Sequence, residues 1–204
     1  MDRMQNTFTT IRPQNFQDFF QNFPGATRQD LCHGCDGSSA TGGGFFTPVC
    51  LLPGELEVLQ ETNLHLEPGL EPILTPHGTI YCLSPIALCP YRRSNHYSLE
   101  KGIARKPVEC TIYPLTFNRH GSDELDVSPN CRRQAAFRKD DFIIKTKVAM
   151  AVYLLPYLEE TWLRHRNEMN ILLDPDCYHQ LKNKKAGQPI TLKEFKACAA
   201  EGCS

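Results

Sequence analysis

The 204-residue chain carries almost no net charge, since 22 Lys and Arg face 23 Asp and Glu for a formal value of -1. A nucleic-acid or acidic-membrane partner normally shows as a basic excess, so neither is expected. Long hydrophobic runs are also missing. The longest, from Val148 through Leu155 to Leu158, is interrupted by Pro156 and falls far short of the roughly 20 residues that a membrane span needs. Met1 to Thr10 contains Asp2 and Arg3 and no apolar segment of the kind that heads an exported chain. The expectation is a soluble cytoplasmic protein. Catalytic signatures are absent as well. Gly42, Gly43 and Gly44 do not lead into the Gly-Lys-Ser/Thr of a phosphate loop, and there is neither an HExxH nor a Ser-His-Asp order. No catalytic base is named, which leaves open whether the chain is an enzyme.

What the chain does have is ten cysteines. Such a number is explained either by disulfides in an oxidising compartment or by thiolate ligands in a reducing one, and the expected cytoplasmic location selects the second. Seven of them, Cys32, Cys35, Cys50, Cys82, Cys89, Cys110 and Cys131, lie in or beside turn-forming residues. Cys32-His33-Gly34-Cys35 spaces two thiols to grip one ion. Cys89 precedes Pro90, and Cys110 follows Pro107 and precedes Pro114, so bent backbone and interrupted helix are expected at both. Zinc takes four Cys or His ligands and a four-iron cluster takes four thiolates. Seven thiols exceed one such site and nearly complete two, or one site with a shared sulfur. The alternative, that they are buried small hydrophobes, does not explain their proline and glycine neighbours. Cys177, Cys198 and Cys203 belong to a helical tail and are read as structural. His33, His77 and His120 are read as surface or turn residues, although the sequence leaves open whether a histidine or a tail cysteine completes the site.

Periodicity and punctuation predict an α+β fold, mostly helical, with a small metal-centred cysteine-rich core, short β-hairpins and a helical C-terminal part. Phe16, Phe19, Phe20 and Phe23 recur at helical spacing after Pro13, which suits a core-packing helix. Pro53-Gly54-Glu55 opens a helix to about Thr62, with Leu56 and Leu59 on one side. Ile73-Leu74-Thr75 and Thr79-Ile80-Tyr81 flank a His77-Gly78 turn, and Ile112 to Asn118 with Glu124 to Val127 suggest a second hairpin. Asp140 to Leu173 is predicted helical, with Val148, Val152, Leu155 and Trp162 sharing a face and Pro156 dividing it. Asp174-Pro175 starts another helix, and Thr191 with Glu194 forms a capping box for the last. Residues 1–139 are then a cysteine-cluster metal-binding domain with an N-terminal helix, and 140–204 a helical extension packed on it.

Taken in order, Cys32, Cys35 and Cys50 with Gly54-Glu55, then Cys82, Cys89 with Tyr91, Arg105-Lys106-Pro107 with Cys110 and Tyr113-Pro114, and finally Cys131 resemble the YkgJ-type cysteine-cluster family. That family is described as a zinc- or iron-chelating domain of CxxCxxCC type, and the bacterial flagellin lysine methylases are related to it. The resemblance spans Cys32 to Cys131. It departs from the pattern in two places: the adjacent double cysteine is replaced by a glycine-rich stretch, and the interval from Cys89 to Cys110 is longer. The resemblance implies a protein that holds zinc or iron, including iron–sulfur forms, through its cysteines. It also implies two alternatives: a metal-dependent protein-modifying enzyme similar to flagellin lysine N-methylase, or a structural-zinc scaffold whose tail docks a protein partner. Arg92, Arg93 and Lys106 are read as a solvated basic insertion rather than a substrate site.

Overall fold

The structure, a computed structural model, describes residues 7–23, 48–61, 70–83, 107–117, 125–128, 134–138, 140–171 and 173–201. Cys32, Cys35, Cys89, Cys131 and Cys203 lie outside them, as do His33, His120, the glycine-rich stretch 36–44 and the insertion with Arg92, Arg93 and Lys106.

Pro13 opens helix α1 (Pro13–Asn22), where its missing N–H falls among donors that have no helical partner in any case. Phe16 and Phe19 are fully buried on its inner face. Phe19 meets Phe20 and Phe23 with ring centroids 5.2 and 5.5 Å apart, and Phe23 meets Phe142 at 5.6 Å. Burying each such ring stabilises by about 1.5–3 kcal/mol, so apolar contact holds α1 as the spacing predicts.

Strand β1 (Val49–Cys50) runs into helix α2 (Glu55–Gln60) through Gly54, whose φ is +85°. A Cβ on Gly54 would lie 2.6 Å from the Ile11 carbonyl oxygen, so only glycine allows this approach of the two chain segments. Leu59 is buried against Leu51, with Leu56, Leu70 and Leu83 around them.

The first predicted hairpin is present as β2 (Leu70–Thr75) and β3 (Gly78–Leu83), antiparallel with Ile73 opposite Ile80. Thr75 closes its turn, the hydroxyl donating to the Gly78 carbonyl at 2.7 Å and accepting from the Gly78 N–H at 3.1 Å. The second hairpin is shorter than predicted. Its strands are β4 (Leu115–Phe117) and β5 (Leu125–Val127), whereas Ile112 ends a short helix, α3 (Val108–Ile112). Cys110 therefore sits on a helix rather than in a bend. Pro107 occupies the N-cap and Pro114 falls beyond the C-cap, positions where proline removes no internal hydrogen bond, so the two prolines bracket the helix instead of breaking it.

Helix α4 (Gln134–Phe137) precedes α5 (Asp141–Tyr153), a 3-10 turn at Leu155–Tyr157 and α6 (Glu160–Glu168), so Pro156 divides the helical region as predicted. The predicted shared face does not form. Val148 and Val152 are 58% and 54% exposed, while Phe142, Ile143, Thr146, Ala149 and Met150 face inward. Trp162 is buried on α6, edge-on to Phe117 at 5.7 Å. The 3-10 turn breaks the angular register between the helices, so a periodicity carried across it selects the wrong side.

Asp174 caps helix α7 (Pro175–Lys185), its carboxylate accepting from the Asp176 N–H at 2.8 Å. The predicted capping box opens helix α8 (Leu192–Glu201): the Thr191 N–H donates to Glu194 at 2.8 Å and the Glu194 N–H to the Thr191 hydroxyl at 3.3 Å. Immediately before it, strand β6 (Ile190–Thr191) pairs in parallel with β2 and completes a mixed sheet of order β1-β3-β2-β6. The fold is α+β and mostly helical, with this four-stranded sheet and a separate hairpin. One contiguous core takes side chains from α1, both sheets and the helices after residue 140. Among the described residues, no helix is long and apolar enough to cross a membrane.

Candidate metal centre

Directly opposed residues of neighbouring strands share a face of the sheet. The register sets Ile190, Ile73 and Ile80 in one row, and Glu71, Cys82 and Cys50 in a second row two residues further along β3. The first row is hydrocarbon and joins the core. The second is chemical. Cys50 is fully buried, Cys82 is 3% exposed, and both are free thiols with their Sγ atoms 3.1 Å apart. That separation is about 1 Å longer than a disulfide bond and shorter than the edge of about 3.8 Å between sulfurs placed tetrahedrally at 2.3 Å from zinc.

Buried polar groups from three segments fix Cys50 in place. Its N–H donates to Glu109 Oε2 at 2.9 Å, and Glu109 precedes Cys110 on α3. Arg166 of α6 donates through Nη2 to the same oxygen at 2.8 Å and through Nε to Oε1, and Nη2 also reaches the Pro48 carbonyl at 3.5 Å. The arginine side chain is 2% exposed and the glutamate 8%. Burial disfavours the guanidinium charge, but Glu109 and then Cys50 outweigh it and raise the pKa above its ordinary value. Arg166 Nη1 is buried with no hydrogen-bond partner. Glu55, at the start of α2, accepts from the Leu52 N–H at 2.7 Å and from the Val108 N–H, tying the end of β1 to the start of α3. Burial pushes this carboxyl from 4.5 up to about 8, against the pull of the two amides and with help from Glu109.

At the other end of the row, Tyr178 of α7 donates its hydroxyl to Glu71, and Lys182 Nζ lies 3.4 Å from the same carboxylate. Burial first, then Glu71, holds the phenol protonated well above its ordinary range. The Cys82 thiol is likewise pushed up by burial and then by Cys50, with Arg166 pulling the other way. Cys82 therefore keeps its proton at neutral pH unless a cation takes its place.

Of the seven predicted ligands, the structure brings Cys50 and Cys82 together, and places Cys110 half-buried on α3. Cys32, Cys35, Cys89 and Cys131 lie outside the described residues. Among the described residues, no three His, Cys, Asp or Glu side chains form a group able to hold a metal ion. The Cys50–Cys82 pair by itself fits half of a tetrahedral thiolate site, after opening by roughly 0.7 Å. No protein-family model, curated protein or solved structure matches the chain.

The tail cysteines are arranged differently. Cys177 on α7 directs its thiol to the Cys198 carbonyl at 3.5 Å, and Cys198 on α8 is buried in the core. Several polar contacts have no signal in the sequence. Glu109 stands inside the Pro-Val-Glu-Cys stretch that carries the resemblance, but a single acidic residue gives no sign of burial, and its partner Arg166 is 57 positions away. His77 occupies the predicted turn and is exposed, yet its Nδ1 meets Nε2 of buried His165 at 2.8 Å. Burial lowers the His165 pKa, opposed by Glu168, whose carboxylate lies 3.6 Å from Nδ1.

Proposed function

We propose that the chain is a cytoplasmic metal-binding protein whose cysteine cluster holds zinc or iron, the iron either as a single ion or within an iron–sulfur cluster. The observation that carries this reading is the 3.1 Å approach of two free, buried thiols across β1 and β3. In this reading Cys50 and Cys82 are joined by ligands from Cys110, Cys32, Cys35, Cys89 and Cys131, the set that the resemblance to the YkgJ-type family implies. Buried thiols in such contact are suited either to a disulfide or to a shared cation, and a reducing compartment favours the cation. When bound, the metal supplies the positive charge that replaces the proton burial keeps on Cys82.

The chain's own residues do the positioning. The Glu109–Arg166 pair holds the Cys50 backbone, and Glu55 holds β1 against α3. Both cysteines are buried, Cys82 the more exposed at 3%, which favours a closed structural site over an open catalytic one, because an open site needs a position that substrate or water can reach. The metal would then stand in for part of a core and hold two strands and a helix as a scaffold. Anaerobic purification followed by metal analysis and an absorption spectrum tests the proposal. Stoichiometric zinc without visible bands, or iron with broad visible bands, supports it and separates the two metals. Protein that carries neither and keeps its fold in chelator would sink it.

A further inference from the structure

We propose that His77 and His165 form an acid-sensitive latch between the β2–β3 turn and α6, closed while the two rings share a proton and released when both are charged. The inference does not depend on the metal-binding reading above. His77 is exposed in the turn, and its Nδ1 lies 2.8 Å from Nε2 of His165, which is 5% exposed on α6. The ring centroids are 5.1 Å apart and the planes 31° from parallel. The contact joins positions 88 residues apart. From this turn β3 runs on to Cys82, so the latch fixes one end of the strand that carries the buried thiol.

A hydrogen bond between two imidazoles holds one proton, so one ring donates and the other accepts. Glu168 selects the roles. Its carboxylate lies 3.6 Å from His165 Nδ1 and is itself paired with Lys196 of α8 at 2.8 Å. A carboxylate there favours the tautomer with the proton on Nδ1, which leaves Nε2 as the acceptor and His77 Nδ1–H as the donor. One extra proton strengthens this bond, because a charged ring then donates to a neutral one. A second sets N–H against N–H and cation against cation. The other charges around the pair are Arg164 of α6, which opposes a proton on His165, and Glu159 just before α6, which His77 reaches electrostatically and which accepts from the Thr9 N–H at 2.7 Å. Burial, then His77 and Arg164, lower the His165 pKa below 6.5 against the pull of Glu168. The folded chain therefore takes this proton at lower pH than the unfolded one, and the stability it contributes is present above pH 6.5 and lost as pH falls below it.

Nitrogen NMR of the wild-type full chain with isotope-labelled histidines tests this without a substitution. At about pH 7.5 a coupling across the shared proton should join His77 Nδ1 to His165 Nε2, with His165 protonated on Nδ1. By about pH 5 the coupling should be gone and both rings should show imidazolium shifts. No coupling at the higher pH, or one that survives at the lower, overturns the proposal. A second measurement reads the energetics. His165→Gln cannot titrate, yet its amide oxygen can still accept from His77 Nδ1–H. Between about pH 7.5 and about pH 5 the folded-to-unfolded ratio in urea should fall about 3- to 10-fold further for wild type than for this variant, the contribution of one hydrogen bond. Parallel profiles would remove the latch and leave the metal reading untouched. A chain that carries no metal but shows both effects loses that reading and keeps this one.

Discussion

Cys50 and Cys82 meet sulfur to sulfur across two strands, whereas Cys177 and Cys198 meet thiol to carbonyl across two helices. Both pairs join distant parts of the chain. They differ in what surrounds them. Buried Glu109, Arg166 and Glu55 brace the strand pair. The helix pair sits between α7 and α8, where Tyr178 packs edge-on to Phe195 with centroids 6.2 Å apart. Ionisable groups are expensive to bury unless they are paired and hydrogen-bonded. Among the described residues, the fold sets several such groups beside the strand pair, whereas the helix pair is mainly packed.

That contrast can be broken most forcefully at Arg166. Arg166→Met leaves Glu109 buried and unpaired and should cost about 3–5 kcal/mol in urea unfolding. Adding Glu109→Gln should recover part of the loss, because the stranded charge goes with it. A methionine variant as stable as wild type would mean that the ion pair does not brace the strand pair at all.

Glu55→Gln should cost about 1–3 kcal/mol, because an amide cannot accept from both the Leu52 and Val108 N–H groups. It should also change the pH dependence. With a carboxyl at about 8 in the fold against 4.5 outside it, the folded state holds the extra proton between those values. The contribution of Glu55 is therefore fully present below pH 4.5 and is lost as pH rises through about 8. Urea unfolding at several pH values should show this downward slope in wild type relative to the glutamine variant. Parallel curves would remove Glu55 from the titrating groups.

Gly54→Ala tests the backbone that delivers Cys50 to its place. A side chain in the left-handed region costs about 1–2 kcal/mol, and the contact with the Ile11 carbonyl adds to it. The melting temperature should fall, and an unchanged value would show that the two segments can separate without loss. The smallest effect belongs to the helix pair. Cys177→Ser keeps a donor for the Cys198 carbonyl and should shift stability by less than about 1 kcal/mol, so a larger loss in urea unfolding would mean that this pair is more than a packing contact.

The sequence made local signals easy to see. Asp174 with Pro175, Thr191 with Glu194, Pro13 and Pro156 act on their own neighbours, so α1, α7, α8 and the break after α5 could be placed. The hairpin turn at His77-Gly78 was visible for the same reason. Long-range pairing was not visible. Cys50 and Cys82 stand 32 positions apart, and nothing in the sequence shows that they face one another. The spacing of Val148 and Val152 points inward although both are exposed, because hydrophobicity alone does not say which side of a helix is covered. β6 is two residues long, too short for an alternating pattern, and owes its place to β2. Arg166 looks like any polar helix residue until Glu109 is set against it.

The most direct measurement is the metal content of Cys82→Ser beside that of Cys177→Ser, both purified anaerobically with the wild-type chain. Loss of zinc or iron in Cys82→Ser, with wild-type content in Cys177→Ser, is the predicted result, since a hydroxyl replaces one sulfur of the facing pair in the first variant and touches no ligand in the second. Equal metal in the two variants, or none in wild type, would contradict it.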